Sequence, residues 1–177
     1  MGVQISYRKS VSKQKVNNVV LFVDEKFNIS GLKKHISSSE NLFISDLIKV
    51  KDLKKKILVF DVSSKKKIIL VSLKNNLISS DSVNLGAKFY DLFKNLNQSQ
   101  YAIYSDTLSD KSKHILGFFL HGIKLKSYKF EKYKTKKNNK KIFINIIGKN
   151  LPNLKDQIKF KAIEDGTFYA RDLVSEP

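Results

Sequence analysis

The stretch LPNLKDQIKFKAIEDGTFYARDLVSEP, Leu151 to Pro177, decides how the rest of the chain is read. At 100° per residue, Ile158, Ala162, Ile163, Gly166, Tyr169, Ala170, Leu173 and Val174 fall within an arc of roughly 160°, the width of a helix packed on a large surface. Glu164, Asp165, Phe168, Arg171 and Asp172 take most of the other side. Pro152 suits a first helical turn, where its missing N–H costs nothing. A helix of about 22 residues spans roughly 33 Å. Gly166 sits near its middle at a cost of about 1 kcal/mol relative to Ala, which predicts close approach of another element there. If nothing covers this helix, part of Ile158 to Val174 is either exposed and prone to self-association or docked back on the chain's own sheet.

Upstream, the patterning alternates between strands and helices. Val3 to Tyr7 alternates apolar and polar as a half-buried strand does, and Val16 to Asp24 holds a continuous apolar run that fits a strand covered on both faces. The next segment, to Val50, is the hardest to read: Leu32 to Ile36 suggests a short helix and the SSSEN run a loop. Lys56 to Val62 and Lys67 to Leu73 are strong strands whose short SSKK connection predicts an antiparallel hairpin. Asn84 to Leu96 places Leu85, Phe89, Leu92, Phe93 and Leu96 on one helical face, with the serines at 79, 80 and 82 as cap candidates in the preceding loop. Tyr101 to Ser105 reads as a strand. Asp110 to Lys126 reads as a helix apolar nearly all round, with Gly117 and Gly122 allowing backbones to approach, and Ile142 to Ile147 as a last buried strand. The sum is an α/β fold, a mixed β-sheet flanked by helices.

Composition removes several classes of function. With 177 residues and 41% apolar content, one domain with a sizeable core is expected. There are no cysteines, which excludes disulfides, thiolate metal sites and cysteine nucleophiles. No apolar run approaches the roughly 18–20 residues of a membrane span, and the first residues lack the apolar core of a signal peptide. The expected location is cytoplasmic. Net charge is +18, yet only Arg8 and Arg171 among the 34 basic residues are arginine. A sequence-specific nucleic-acid reader favours the bidentate arginine fork, so the lysines read first as a solvated surface with non-specific attraction to polyanions.

Constellations for chemistry are sparse. His114 and His121 lie seven apart, about 10.5 Å along a helix, too far for one ion, and read as ordinary helix-surface histidines. Asp24, Glu25, Asp106 and Asp110 stand at strand ends and fit turn and cap roles. The seven glycines form no phosphate-binding loop. The most site-like stretch by composition is Tyr128 to Lys141, where Tyr128, Phe130 and Tyr133 alternate with lysines. Single-strand binders combine aromatic stacking with lysine–phosphate contacts, so Lys129, Lys132, Lys134, Lys136, Lys137, Lys140 and Lys141 are candidate nucleic-acid contacts. The competing reading, which we favour, packs Tyr128 and Phe130 inward and leaves the lysines in water.

Two motifs carry a resemblance. Ala162, Gly166, Ala170, Arg171, Asp172, Leu173, Val174 and Pro177 match, in spacing and identity, the segment joining the two domains of the leucyl aminopeptidase (cytosol aminopeptidase) family, with Ser175 where that family usually has Asn. Upstream, Gly122, Leu125, Ser127, Tyr128, Phe130, Tyr133, Lys134 and Lys136 resemble the same family's Gly-x-x-Leu-x-Ser-Tyr-x-Phe-x-x-Tyr-Lys-x-Lys run.

The resemblance implies an N-terminal α/β domain over residues 1–150, a sandwich similar to macro domains, followed by a long connecting helix over 151–177. It implies an activity, release of N-terminal residues from peptides by two divalent metals (zinc, manganese or magnesium), whose ligands lie in a catalytic domain beyond Pro177. By that reading no catalytic, cofactor or metal residue falls in this chain, and Arg171 and Asp172 are structural. The implied partners are that catalytic domain and further copies, the family being hexameric. A basic nucleic-acid-binding module is the alternative.

Overall fold

The computed structural model describes residues 2–9, 17–74, 76–94, 100–109, 112, 114–133, 135 and 141–176. Among the described residues six strands form one sheet: β1 (Gly2–Arg8), β2 (Asn18–Val23), β3 (Ile57–Asp61), β4 (Lys67–Ser72), β5 (Gln100–Tyr104) and β6 (Lys141–Ile147). Their spatial order is β1-β6-β5-β2-β4-β3. All neighbours run parallel except β3, which pairs antiparallel with β4 at one edge, so the predicted hairpin and mixed sheet are both found.

Among the described residues four α-helices accompany the sheet: α1 (Ser38–Val50), α2 (Ser79–Phe93), α3 (Ile115–Lys126) and α4 (Leu154–Ser175). Because successive side chains of a strand point to opposite faces, β2 feeds two cores. Val19, Leu21 and Val23 join Leu32, Ile44, Leu58 and Leu70 under α1. Val20 and Phe22 join Phe89, Phe93, Tyr101 and Phe119 under α2 and α3. In that second core Phe119 meets Phe22 at 5.5 Å and Phe89 at 5.6 Å, both edge to face, the arrangement aromatic quadrupoles favour. Each such ring buried contributes roughly 1.5–3 kcal/mol. Here α2 and α3 cross at two glycines. A Cβ on Gly86 would overlap the Phe119 carbonyl, with its carbon at 2.9 Å, and one on Gly122 would overlap the Val83 carbonyl, with its carbon at 2.7 Å.

Several expectations need correction. The SSSEN run is not a loop. Ser37 caps α1 by accepting the Glu40 N–H while the Glu40 carboxylate accepts the Ser37 N–H, a complete capping box. The helix predicted over Asn84 to Leu96 starts earlier, at Ser79. Its serines lie inside it, and Ser82 is buried, donating to the Ile115 carbonyl at 2.9 Å. Leu92 is half exposed rather than on the packed face, and Leu96 lies outside the described residues. The short helix expected at Leu32 to Ile36 is a 3-10 turn over Ser30–Lys34, and α3 begins at Ile115 rather than Asp110, which is itself outside the described residues. No helix among the described residues is long and apolar enough to cross a membrane.

Candidate functional site

Helix α4 is the feature whose surroundings are unusual. Asn153 caps it, accepting the Asp156 N–H at 2.7 Å, and Asp156 places a carboxylate in the positive first turn. Pro152 stands just before the cap, not in the first turn. Its carbonyl accepts from the Gln157 side chain at 2.7 Å. The helix has the 22 residues predicted for it.

Within this chain α4 packs by the face opposite its apolar arc, so of the two outcomes expected for an uncovered helix it is the exposed one that is found. Phe160, Glu164 and Phe168 point at α3 and the segment after it, while Ile158 (61% exposed), Ile163, Tyr169 (67%), Leu173 and Val174 point into solvent. A Cβ on Gly166 would meet nothing within 4 Å, so the close approach that its cost implied is not made inside this chain. Replacing Gly166 with Ala should therefore stabilise the domain by about 1 kcal/mol through backbone entropy alone. A lower urea midpoint for that variant would show that something already occupies the space.

The packed face is a seam of rings and polar bonds. Phe160 meets Phe118 edge to face at 5.1 Å and lies 5.0 Å from the His121 ring, in space that Gly117 leaves open. His121 Nδ1 and Glu164 Oε1 are 2.9 Å apart, both side chains more than nine-tenths buried. His121 is thus buried and paired rather than the surface histidine expected, whereas His114 lies exposed just before α3. Burial pushes the Glu164 carboxyl up, against the opposing pull of its bond to His121. The Tyr7 phenol of β1, lining the same cleft of about 270 Å³, is pushed up by burial and by the Glu164 charge. Further along, Arg171 donates to the Leu125 carbonyl at 3.0 Å and lies over the Tyr128 ring, whose hydroxyl donates to Asp172 at 2.7 Å. Tyr128 also stacks near Phe168, and Lys132 pairs with Glu176.

The two motifs that looked separate in sequence therefore meet, Leu125 and Tyr128 of one against Arg171 and Asp172 of the other. Of the candidate nucleic-acid contacts, Lys129 and Lys141 are exposed and Lys132 is engaged by Glu176, while Lys134, Lys136, Lys137 and Lys140 lie outside the described residues. Tyr128 and Phe130 are half-buried and Tyr133 is exposed. At the strand ends Asp24 accepts the Lys26 and Asn28 N–H groups and Asp106 the Lys149 N–H, which makes them turn residues.

No family model matches the chain, and no curated protein matches it in sequence. Solved structures do match. Tomato leucine aminopeptidase superimposes over 99% of this chain with a TM-score of 0.71 at 19% identity, but the match takes in only 39% of the tomato chain. The cytosol aminopeptidase of Coxiella burnetii matches over 98% of this chain and 33% of its own, with a TM-score of 0.58 at 13% identity. This is the fold of the N-terminal domain of leucine aminopeptidases. A bottromycin maturation enzyme, solved with manganese, shares it over 91% of this chain and 32% of its own, at a TM-score of 0.61 and 11% identity. The leucine-aminopeptidase likeness thus spans about a third of those proteins, and at these identities it establishes the fold. Among the described residues no three His, Asp or Glu side chains gather as a metal ion requires. The residues here do not fit the metal pair implied by the resemblance, and no metal step is assigned to them.

Proposed function

We propose that this chain is a non-catalytic N-terminal domain of a leucyl-aminopeptidase-like metallopeptidase, with a scaffolding and oligomerisation role. One observation carries the reading: 99% of this chain is used up by a match that leaves most of the tomato enzyme unmatched. In it, residues 1–150 are the α/β domain and 151–177 the connecting helix. The activity it serves is release of N-terminal amino acids from peptides. Two divalent metals on a catalytic partner domain would activate the attacking water and polarise the scissile carbonyl. The place of work is the cytoplasm.

The seam supports this division of labour. Its carboxylates, Glu164 and Asp172, are engaged by His121 and Tyr128, so they hold a helix in place rather than face a substrate. The purified chain, supplied with manganese and a leucyl-anilide, is expected to release no product above the protein-free rate. Turnover proportional to chain concentration and lost on chelation would overturn the reading.

A further inference from the structure

We infer that the cleft between β1, α3 and α4 binds a free α-amino acid with an apolar side chain. The cleft holds about 270 Å³, just under the roughly 300 Å³ at which ligand pockets begin, which restricts it to a small guest. Its walls are apolar: Ile5 of β1, Leu120 of α3, and Phe160 and Phe168 of α4. Such walls hold the body of a ligand, and a few polar groups among them fix its orientation.

Two polar atoms in the cleft have bonding capacity to spare. His121 is nine-tenths buried and engages Glu164 through Nδ1, which leaves Nε2 without a partner among the described residues. The hydroxyl of Tyr7, a half-buried residue, has none among them either. The polar atoms that are both sealed from water and unbonded are Asn18 Oδ1, Asn41 Nδ2 and Tyr90 Oη, so these two open into the cleft that their side chains line. With Nδ1–H given to the carboxylate, Nε2 presents a lone pair, while the phenol donates.

The charges at the rim select the guest. Lys161 and Asp165 are exposed and line the cleft from α4, one turn apart and about 6 Å along the axis. Neither is engaged in an ion pair among the described residues. A chain of charge +18 attracts any anion, but a free carboxylate beside a free ammonium favours a ligand that carries both signs. An α-amino acid matches the set. Its carboxylate accepts from Lys161 and Tyr7, its ammonium donates to Asp165 and His121 Nε2, and its side chain lies against the two phenylalanines. The guest is of the class that the proposed peptidase releases, so a regulatory meaning rests on that reading, whereas occupancy of the cleft does not. An inactive chain that binds no amino acid would leave the peptidase reading standing and remove this one; a chain that binds and also turns over peptide would do the reverse.

Amide NMR of the labelled chain at neutral pH tests it. L-Leucine should shift the amides of β1 and of the α4 turns that carry Phe160 to Phe168 along one saturable curve, with a Kd of roughly 0.1–1 mM. Glycine, which lacks the apolar body, should bind at least about tenfold more weakly. Lys161→Met and Asp165→Asn change exposed side chains, so the spectrum should stay that of the folded chain. Each should weaken L-leucine about threefold or more, the loss of one charge-assisted hydrogen bond at a wet rim. Leucinamide, without the carboxylate, should be indifferent to Lys161→Met, and isocaproate, without the ammonium, to Asp165→Asn. No shift at about 20 mM L-leucine, glycine bound as tightly as leucine, or leucine binding unmoved by both substitutions would each overturn the proposal.

Discussion

Gly122→Ala is expected to destabilise the domain by about 3 kcal/mol, the upper end of what overpacking a close-packed interior costs. The reason is that the new methyl would meet backbone, not side chain. The Val83 carbonyl of α2 stands where the Cβ would go, and the Phe119 carbonyl of α3 stands equally close to Gly86. A side chain escapes by changing rotamer, but a carbonyl held in its own helix cannot, so α2 and α3 must separate along their length. That separation loosens Phe89 from Phe119 and opens the aromatic core. Thermal midpoints should fall by roughly 2–4 °C per kcal/mol for a domain of this size. Gly86→Ala should cost about as much, and the double variant much less than the sum, because one separation relieves both overlaps. Gly31→Ala, with nothing within 4 Å of its Cβ, is the control and should leave the midpoint within about 0.5 kcal/mol. Unchanged melting of both Gly86→Ala and Gly122→Ala would show that the helices do not cross this closely.

What could be read from the sequence and what could not divides along physical lines. The strands and their hairpin were legible because short continuous apolar runs such as those in Ile57–Asp61 and Lys67–Ser72, joined by a brief polar connection, carry their own signal. Helix α1 was missed although Ser37 and Glu40 spell a capping box, because a run of serines also suits a loop. The length of α4 was legible, but the face it docks was not. Helical periodicity measures where apolar residues gather and says nothing about which neighbour they meet. The neighbour here is α3, which offers His121, the Phe118 ring and the Leu125 carbonyl to α4, so the docking face is one with a carboxylate, an arginine and two phenylalanines. Such a face scores as polar even when Glu164 is buried. The partner of Glu164 lies 43 residues away, and nothing in spacing announces it. The resemblance marked Arg171, Asp172 and Tyr128 as worth attention without revealing that they touch.

The same buried pair sets the second large effect, expected from Glu164→Ala. Removing one member of a buried, hydrogen-bonded pair strands the other without a partner and typically costs about 3–5 kcal/mol. Since α4 is fastened mainly through this seam, the loss should fall first on α4. Its amides should exchange on the order of a hundredfold faster or more, while those of β2 and β4 change less. Glu164→Gln keeps both an acceptor oxygen and a donor N–H within reach of His121 Nδ1 and fills the same volume, so it should recover most of the protection.

The two variants also separate packing from charge. The Glu164 carboxyl is pushed up by burial, so the folded chain binds its proton more tightly than the unfolded chain does. A raised carboxyl contributes stability that is fully present below the unfolded value of about 4.3 and is lost as pH rises through the folded value. The groups facing it are His121 and Lys124 of α3, Tyr7 of β1 and Asp165 on its own helix. Lys124 is itself tied to the Val3 carbonyl at 2.8 Å. Wild-type α4 should accordingly lose protection as pH climbs above about 4.3, whereas Glu164→Gln, which has no proton to release, should be flatter over that interval. Should wild type and Glu164→Gln show parallel pH profiles, the carboxyl would not be the group that couples α4 to protons. A fall in protection for Glu164→Ala of less than about tenfold would mean that the aromatic contacts of Phe160 and Phe168 hold the helix without it.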